Sequence, residues 1–111
     1  MLEIQTNHQP SYSVLALKGR LDAVTSPELD KALQDTENSK QNSIIIDMAG
    51  VDYISSAGLR VLLGGTKRQT AKKKKLVLAN LTAGVVEIIR IAGFNQIFVI
   101  APTLDQAPSL I

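Results

Sequence analysis

The chain has 111 residues, 45% hydrophobic and 20% charged, which suits one compact domain over residues 1–111 and excludes a polar disordered tail or a fibrous repeat. It holds no cysteine and one histidine, His8, so disulfides, thiol catalysis and cysteine-ligated metal are excluded and a histidine triad has little to build on. The formal net charge is +2, the longest hydrophobic run is the five residues Ile97–Ala101 against about 18 for a membrane span, and Met1–Gln5 lacks the pattern of a secretory signal; the expectation is a cytoplasmic protein without membrane insertion.

Leu2–Thr6 and Ser11–Leu17 read as an antiparallel pair of strands around the polar turn Asn7–Pro10, the second apolar on both faces and therefore central. Gly19-Arg20-Leu21-Asp22 breaks that run. Thr25 with Glu28 fits a capping box, or Ser26 caps with Pro27 as the first helical residue; Leu29, Ala32 and Leu33 then give a helical stripe that fades at Glu37-Asn38-Ser39. Ile44–Met48 is a buried strand, and after Ala49–Ile54 the unit Ser55-Ser56-Ala57-Gly58 leads into a helix marked by Leu59, Leu62, Leu63 and Thr66.

Lys75–Asn80 predicts another strand, and Thr82 caps a helix whose buried face is Val85, Ile88, Ile89 and Ala92, stopped by Gly93. Ile97–Ile100 is the last strand, ended by Pro102, with a short helix within Thr103–Leu110. This order predicts an α/β fold: a mixed sheet of about five strands, the first two antiparallel and the later ones joined by right-handed helical crossovers, with three to four helices. Sites in such sheets gather at the carboxyl ends of the strands, which places Asp22, Ser55, Ser56 and the Asn80-Leu81-Thr82 turn at one rim.

Two adjacent serines at a helix start admit two readings: an ordinary N-cap, or a phosphorylated serine whose added charge of about −1.5 to −2 sits against the helix N-terminus. Gly58–Gly65 is not a phosphate-binding loop, because Gly65-Thr66-Lys67 stands where that loop needs glycine, lysine and then serine or threonine. Asp22, Asp47 and Asp52 read as solvated or capping groups rather than metal ligands or a receiver-type acidic pocket. Seven of the twelve basic residues fall between Arg60 and Lys75, with no acid between Asp52 and Glu87. Lys72–Lys75 reads as a solvated helix end complementing the helix dipole, and with no aromatic interleaved it predicts no direct nucleic-acid binding.

Val51-Asp52-Tyr53-Ile54-Ser55-Ser56-Ala57-Gly58-Leu59-Arg60-Val61-Leu62 resembles the STAS domain family, specifically its stand-alone bacterial anti-sigma factor antagonists. Gly19–Asp22, Ile44–Met48, Asn80–Thr82 and Ile88–Phe94 extend the resemblance over about residues 2–101. The resemblance implies a non-enzymatic module without cofactor or metal, whose unmodified form binds an anti-sigma factor that is also a serine kinase and so frees sigma factor. Phosphorylation by that kinase switches binding off, and a serine phosphatase resets it.

Aligned on Gly58-Leu59, the family's phosphoacceptor falls on Ser56, with Ser55 as the alternative; many members carry aspartate where this chain has Ser55. Asp22, Ser55, Ser56, Gly58, Leu59 and Arg60 are the expected partner-binding residues. Arg60, one turn beyond Ser56, is placed to assist the modified serine. The competing reading is a STAS scaffold without a phosphorylation cycle, in a lipid-transport or stressosome-like complex, or a nucleotide-sensing subunit.

Overall fold

Residues 2–40 and 42–111 are described by the computed structural model. β1 (Leu2–His8) lies antiparallel to β2 (Tyr12–Leu21), with Leu2 opposite Gly19 and His8 opposite Ser13. β3 (Ser43–Ile54), β4 (Leu76–Ala79) and β5 (Val99–Ala101) follow in parallel, giving five strands in the order β1-β2-β3-β4-β5. Each parallel step is bridged by one helix: α1 (Ser26–Lys40), α2 (Ser56–Ala71) and α3 (Ala83–Ile91).

Strand alternation sorts the apolar side chains into two layers. Ile44, Ile46, Leu76 and Leu78 join Leu29 and Leu33 of α1, Leu59 and Leu62 of α2, and Val85 and Ile89 of α3 in the main core. Ile45, Val77, Ala79 and Ala101 face the other way and are covered by Ala107 of a terminal 3-10 helix (Ala107–Leu110) and by Leu104. All three α-helices therefore contribute to one core layer, while the opposite face carries the smaller cluster under the C-terminal segment.

Four local expectations are corrected. Gly19 does not end β2: at φ 128° it lets the strand bend, and Leu21, fully buried, carries the pairing on to Ile54. α1 does not fade at Glu37, because that carboxylate is buried and receives two hydrogen bonds from Arg68 of α2, Nε to Oε1 at 2.8 Å and Nη2 to Oε2 at 3.0 Å. β5 begins at Val99 rather than Ile97, since the Ile97 and Phe98 amides both donate to the Phe94 carbonyl in a turn, with the Phe94 and Phe98 rings edge to face at 5.9 Å. Ala92 is exposed as the C-cap of α3 and is not part of its buried face.

β3 carries two bulges. As β2 advances from Ala16 to Lys18, β3 advances from Asp47 to Gly50; as β2 advances from Gly19 to Leu21, β3 goes from Val51 to Ile54. Each step inserts one extra residue on β3, which increases local twist and re-aims side chains. Val51 and Ile54 stay buried while Asp52 and Tyr53 turn outward, so β3 delivers the chain to α2 with an exposed edge on one side and the core on the other.

Candidate functional site

The rim is built where β2 and β3 end together. The Ser55 amide donates to the Leu21 carbonyl at 2.8 Å, tying the start of α2 to the start of the β2–α1 loop. Ser55 has extended backbone (φ −90°, ψ 173°), and its Oγ accepts the Gly58 amide at 3.3 Å, so Ser55 is the N-cap of α2. Ser56 is the first helical residue and is exposed, with no side-chain hydrogen bond among the described ones. The two serines thus divide the two readings of the sequence: one hydroxyl is spent on the cap and the other faces solvent beside the unpaired amides of a helix start.

Gly58 is buried, and a Cβ there would lie 2.8 Å from Ile54 Cγ1 and 2.9 Å from Leu21 Cγ. Its role is to let the first turn of α2 seat on the ends of β2 and β3; the absent side chain opens inward and makes no room at the surface. Leu59, 5% exposed, is likewise packed beneath the rim. Of the expected contact residues, Gly58 and Leu59 therefore support the surface without forming it. Arg60 is exposed and lines a groove of about 400 Å³ between α1 and α2, together with Ala57, Ala23, Pro27 and Asp30.

Asp22 sits across the rim and organises its own loop. Its Oδ1 accepts from the Val24 and Thr25 amides, both at 3.0 Å, and lies 3.1 Å from the Thr25 hydroxyl oxygen. These bonds, the Thr25 amide foremost, hold the carboxyl below its ordinary pKa. Thr25 in turn accepts the Asp22 amide at 2.9 Å and donates to the Arg20 carbonyl at 2.7 Å, and the Ser26 hydroxyl donates to the Asp22 carbonyl. Neither hydroxyl makes the expected capping contact with the first turn of α1; both brace the loop behind it, while the Thr25 carbonyl accepts from the Glu28 and Leu29 amides.

Two features of the rim escaped the sequence. The Arg20 guanidinium stacks over the Tyr53 ring, 4.4 Å from its centroid, and Val24 is 80% exposed at the loop apex. The Arg20–Tyr53 pair depends on the bulge that turns Tyr53 outward, and no residue pattern announces that bulge. Asn80 itself lies lower on the sheet than this rim: β4 ends beside Asp47, well before Ile54, and Asn80 Nδ2 donates to Asp47 Oδ1 at 3.1 Å. Thr82 does cap α3, accepting from the Val85 amide and donating to the Val51 carbonyl at 2.9 Å.

Asp47 also accepts the Ala49 amide at 3.1 Å, so its carboxylate has a structural job, and no group of three or more potential metal ligands occurs among the described residues. Lys72 is the C-cap of α2, and Lys73–Lys75 form the turn into β4 rather than helix. No helix among the described residues is long and apolar enough to cross a membrane.

Comparison with known proteins agrees with this fold. The chain is 32% identical over 94 residues to the candidate anti-sigma factor antagonist BtrV of Bordetella bronchiseptica, covering 85% of this chain and 81% of that protein. Its fold matches the crystal structure of an anti-sigma factor antagonist from Mycobacterium paratuberculosis with a TM-score of 0.89 at 22% identity, over 100% of this chain and 94% of the other. It also matches the Bacillus anti-sigma factor antagonist SpoIIAA, with TM-scores of 0.81 for the unphosphorylated form (18% identity, 97% and 95% coverage) and 0.73 for the phosphorylated form (15% identity, 98% and 100% coverage). The profile of the STAS domain matches residues 3–107, and with that span the chain belongs to the STAS domain family.

Proposed function

We propose that this STAS domain is an anti-sigma factor antagonist: unmodified, it binds an anti-sigma factor that is also a serine kinase, and phosphorylation of Ser56 ends that binding until a serine phosphatase restores it. The observation that carries the reading is the division between Ser55, whose hydroxyl caps α2, and Ser56, whose hydroxyl is exposed. In the transfer, Ser56 Oγ bonds to the γ-phosphorus of ATP, the bond to the bridging oxygen breaks, ADP leaves and the hydroxyl proton is lost. The domain supplies the acceptor and the partner surface, so it acts as a regulatory binding module and the partner as the enzyme.

A phosphate on Ser56 lies beside helix-start amides and the helix dipole, which favour it. The helix is therefore expected to survive modification. Its effect falls on the interface, where a doubly charged group must be desolvated against a surface that previously met a neutral hydroxyl. Arg60, four residues on and exposed on the same side of the first two turns, is placed to pair with the phosphate.

The nucleotide-sensing alternative finds less support. A hollow of about 730 Å³ lies on the sheet face away from the three α-helices, and its lining includes Tyr12, Val14, Asp47 and Asp105 but no lysine or arginine. Two carboxylates without a cation are a poor match for phosphates. The test of the proposal is incubation with the cognate anti-sigma kinase and ATP, read by intact mass and phosphopeptide mapping. Modification of Ser56 is expected; modification of Ser55 alone, or of neither serine, overturns it. By calorimetry Ser56→Ala retains kinase binding and Ser56→Asp weakens it, and equal affinities would remove the switch.

A further inference from the structure

We propose a second docking surface, for an acidic protein segment carrying apolar side chains, at the end of the sheet opposite Ser56. This inference goes beyond the antagonist reading and does not depend on it. Two adjoining hollows of about 560 and 370 Å³ share Thr66, Thr70 and Ile97. They run between the flank of α2 that faces away from α1 and the edge of the sheet at β5. The apolar part comes from Leu63, Val99 and Ile97, the last 45% exposed.

The charge around this cleft has one sign. Lys67, Lys73, Lys74 and Lys75 line it, no carboxylate does, and none of these lysines joins an ion pair among the described residues. An occupant must therefore bring negative charge to the rim and apolar surface to the floor.

Backbone geometry adds an independent mark. α2 and α3 end in the same Schellman motif: Lys74 N donates to Gln69 O and Lys73 N to Thr70 O, as Phe94 N donates to Ile89 O and Gly93 N to Arg90 O. The residue that must take positive φ is Gly93 at 82° in α3 but Lys73 at 60° in α2. A left-handed conformation is ordinary for glycine and unfavourable for lysine, so the chain holds a positive charge at this cleft where backbone preference calls for glycine.

A protein segment fits better than a nucleic acid or a lipid surface. No aromatic residue lines either hollow to stack on bases, and one exposed isoleucine is too little apolar area for a bilayer. Among the described residues β5 is an edge strand paired only with β4; its outer main-chain groups, beside Val99, suit an extended peptide backbone. The helix rise puts about 20 Å between Ser56 and Thr70, so a segment docked here leaves the phosphorylation rim free. One partner can then engage both ends, the second contact raising its effective concentration at the first.

The test is fluorescence anisotropy with a fluorescein-labelled peptide of alternating glutamate and leucine, titrated with the full chain up to about 1 mM. Saturable, salt-sensitive binding is expected. It should weaken about tenfold when Lys67→Glu and Lys74→Glu are combined and several-fold in Ile97→Ser, and stay unchanged in Ser56→Asp. Melting temperatures confirm that the variants, all at exposed positions, remain folded. Absence of saturable binding overturns the proposal. So does equal affinity for a peptide with serine in place of leucine, loss of binding in Ser56→Asp, or tighter binding of a DNA duplex or phosphatidylserine vesicles than of the peptide.

Discussion

The two ends of α2 are built on opposite terms. At its start the chain subtracts: Gly58 gives up its side chain so that the helix can approach Leu21 and Ile54, and Ser55 spends its hydroxyl on the cap, leaving Ser56 as the one serine of the pair with a free hydroxyl. At its finish the chain adds: a lysine occupies a left-handed position that glycine fills in the matching turn after α3. The first end is fixed by packing, so its chemistry is confined to one exposed group. The second is fixed by hydrogen bonds from main chain to main chain, which leave its side chains free to set charge.

The sharpest way to break the packed end is Gly58→Ala. The added Cβ meets Leu21 and Ile54 below 3 Å, and both neighbours are essentially fully buried, so neither swings aside. Overpacking of this kind costs about 1–3 kcal/mol even though alanine is the better helix former. We expect the upper part of that range in the denaturation midpoint, with partner binding impaired because the whole rim shifts. A stability equal to the parent chain would show that α2 is not seated by this glycine.

Midway along the helix, Glu37→Gln tests what fastens α2 to α1. Arg68 donates two hydrogen bonds to a carboxylate that is 3% exposed, and Asp30 approaches the same guanidinium at 3.6 Å. Losing one partner of a fully buried pair costs about 3–5 kcal/mol. Arg68 keeps 34% of its side chain in water, and Gln retains an acceptor, so the expected loss is about 1–2 kcal/mol by chemical denaturation. The expectation fails if both single variants, Glu37→Gln and Arg68→Gln, melt at the parent temperature.

These two residues also show what the sequence does and does not disclose. β-branched runs, the Thr82 cap and the Gly93 stop are local signals, and the structure reproduces each of them. Glu37 looked like a fraying helix end because its partner lies 31 positions away. Ile97-Phe98 looked like strand by composition, yet packing of Phe98 on Phe94 holds it in a turn. The serine pair and Asp22 stand out in the sequence as candidates for one rim, but composition does not distinguish two neighbouring serines. The backbone at Ser55 does, and it rests on a β3 register containing two bulges that only strand pairing reveals.

A smaller effect separates the two serines directly. Ser55→Ala removes the acceptor for the Gly58 amide and is expected to cost about 1 kcal/mol, while Ser56→Ala, which deletes no described hydrogen bond, should cost only a few tenths. Urea midpoints of the two variants, measured side by side, check the assignment. If Ser56→Ala proves the more damaging, the cap lies on Ser56 and the packed end of α2 exposes the hydroxyl of Ser55 instead.

The other end of α2 offers a small gain, from Lys73→Gly. Relieving a lysine at φ 60° recovers about 1–2 kcal/mol of left-handed strain, offset by about 0.5–1 kcal/mol for the greater freedom glycine loses on folding. The net is a stabilisation of roughly 0.5 kcal/mol. The reverse exchange, Gly93→Lys, supplies the control: a Cβ there meets nothing within 4 Å, so its cost is purely conformational and should mirror the gain at Lys73. Paired melting curves with opposite signs would show that the two turns differ in residue choice and not in geometry. A Lys73→Gly variant that melts earlier than its parent would mean that the lysine side chain makes a stabilising contact of its own, and would remove the reason to regard its charge as held against backbone preference.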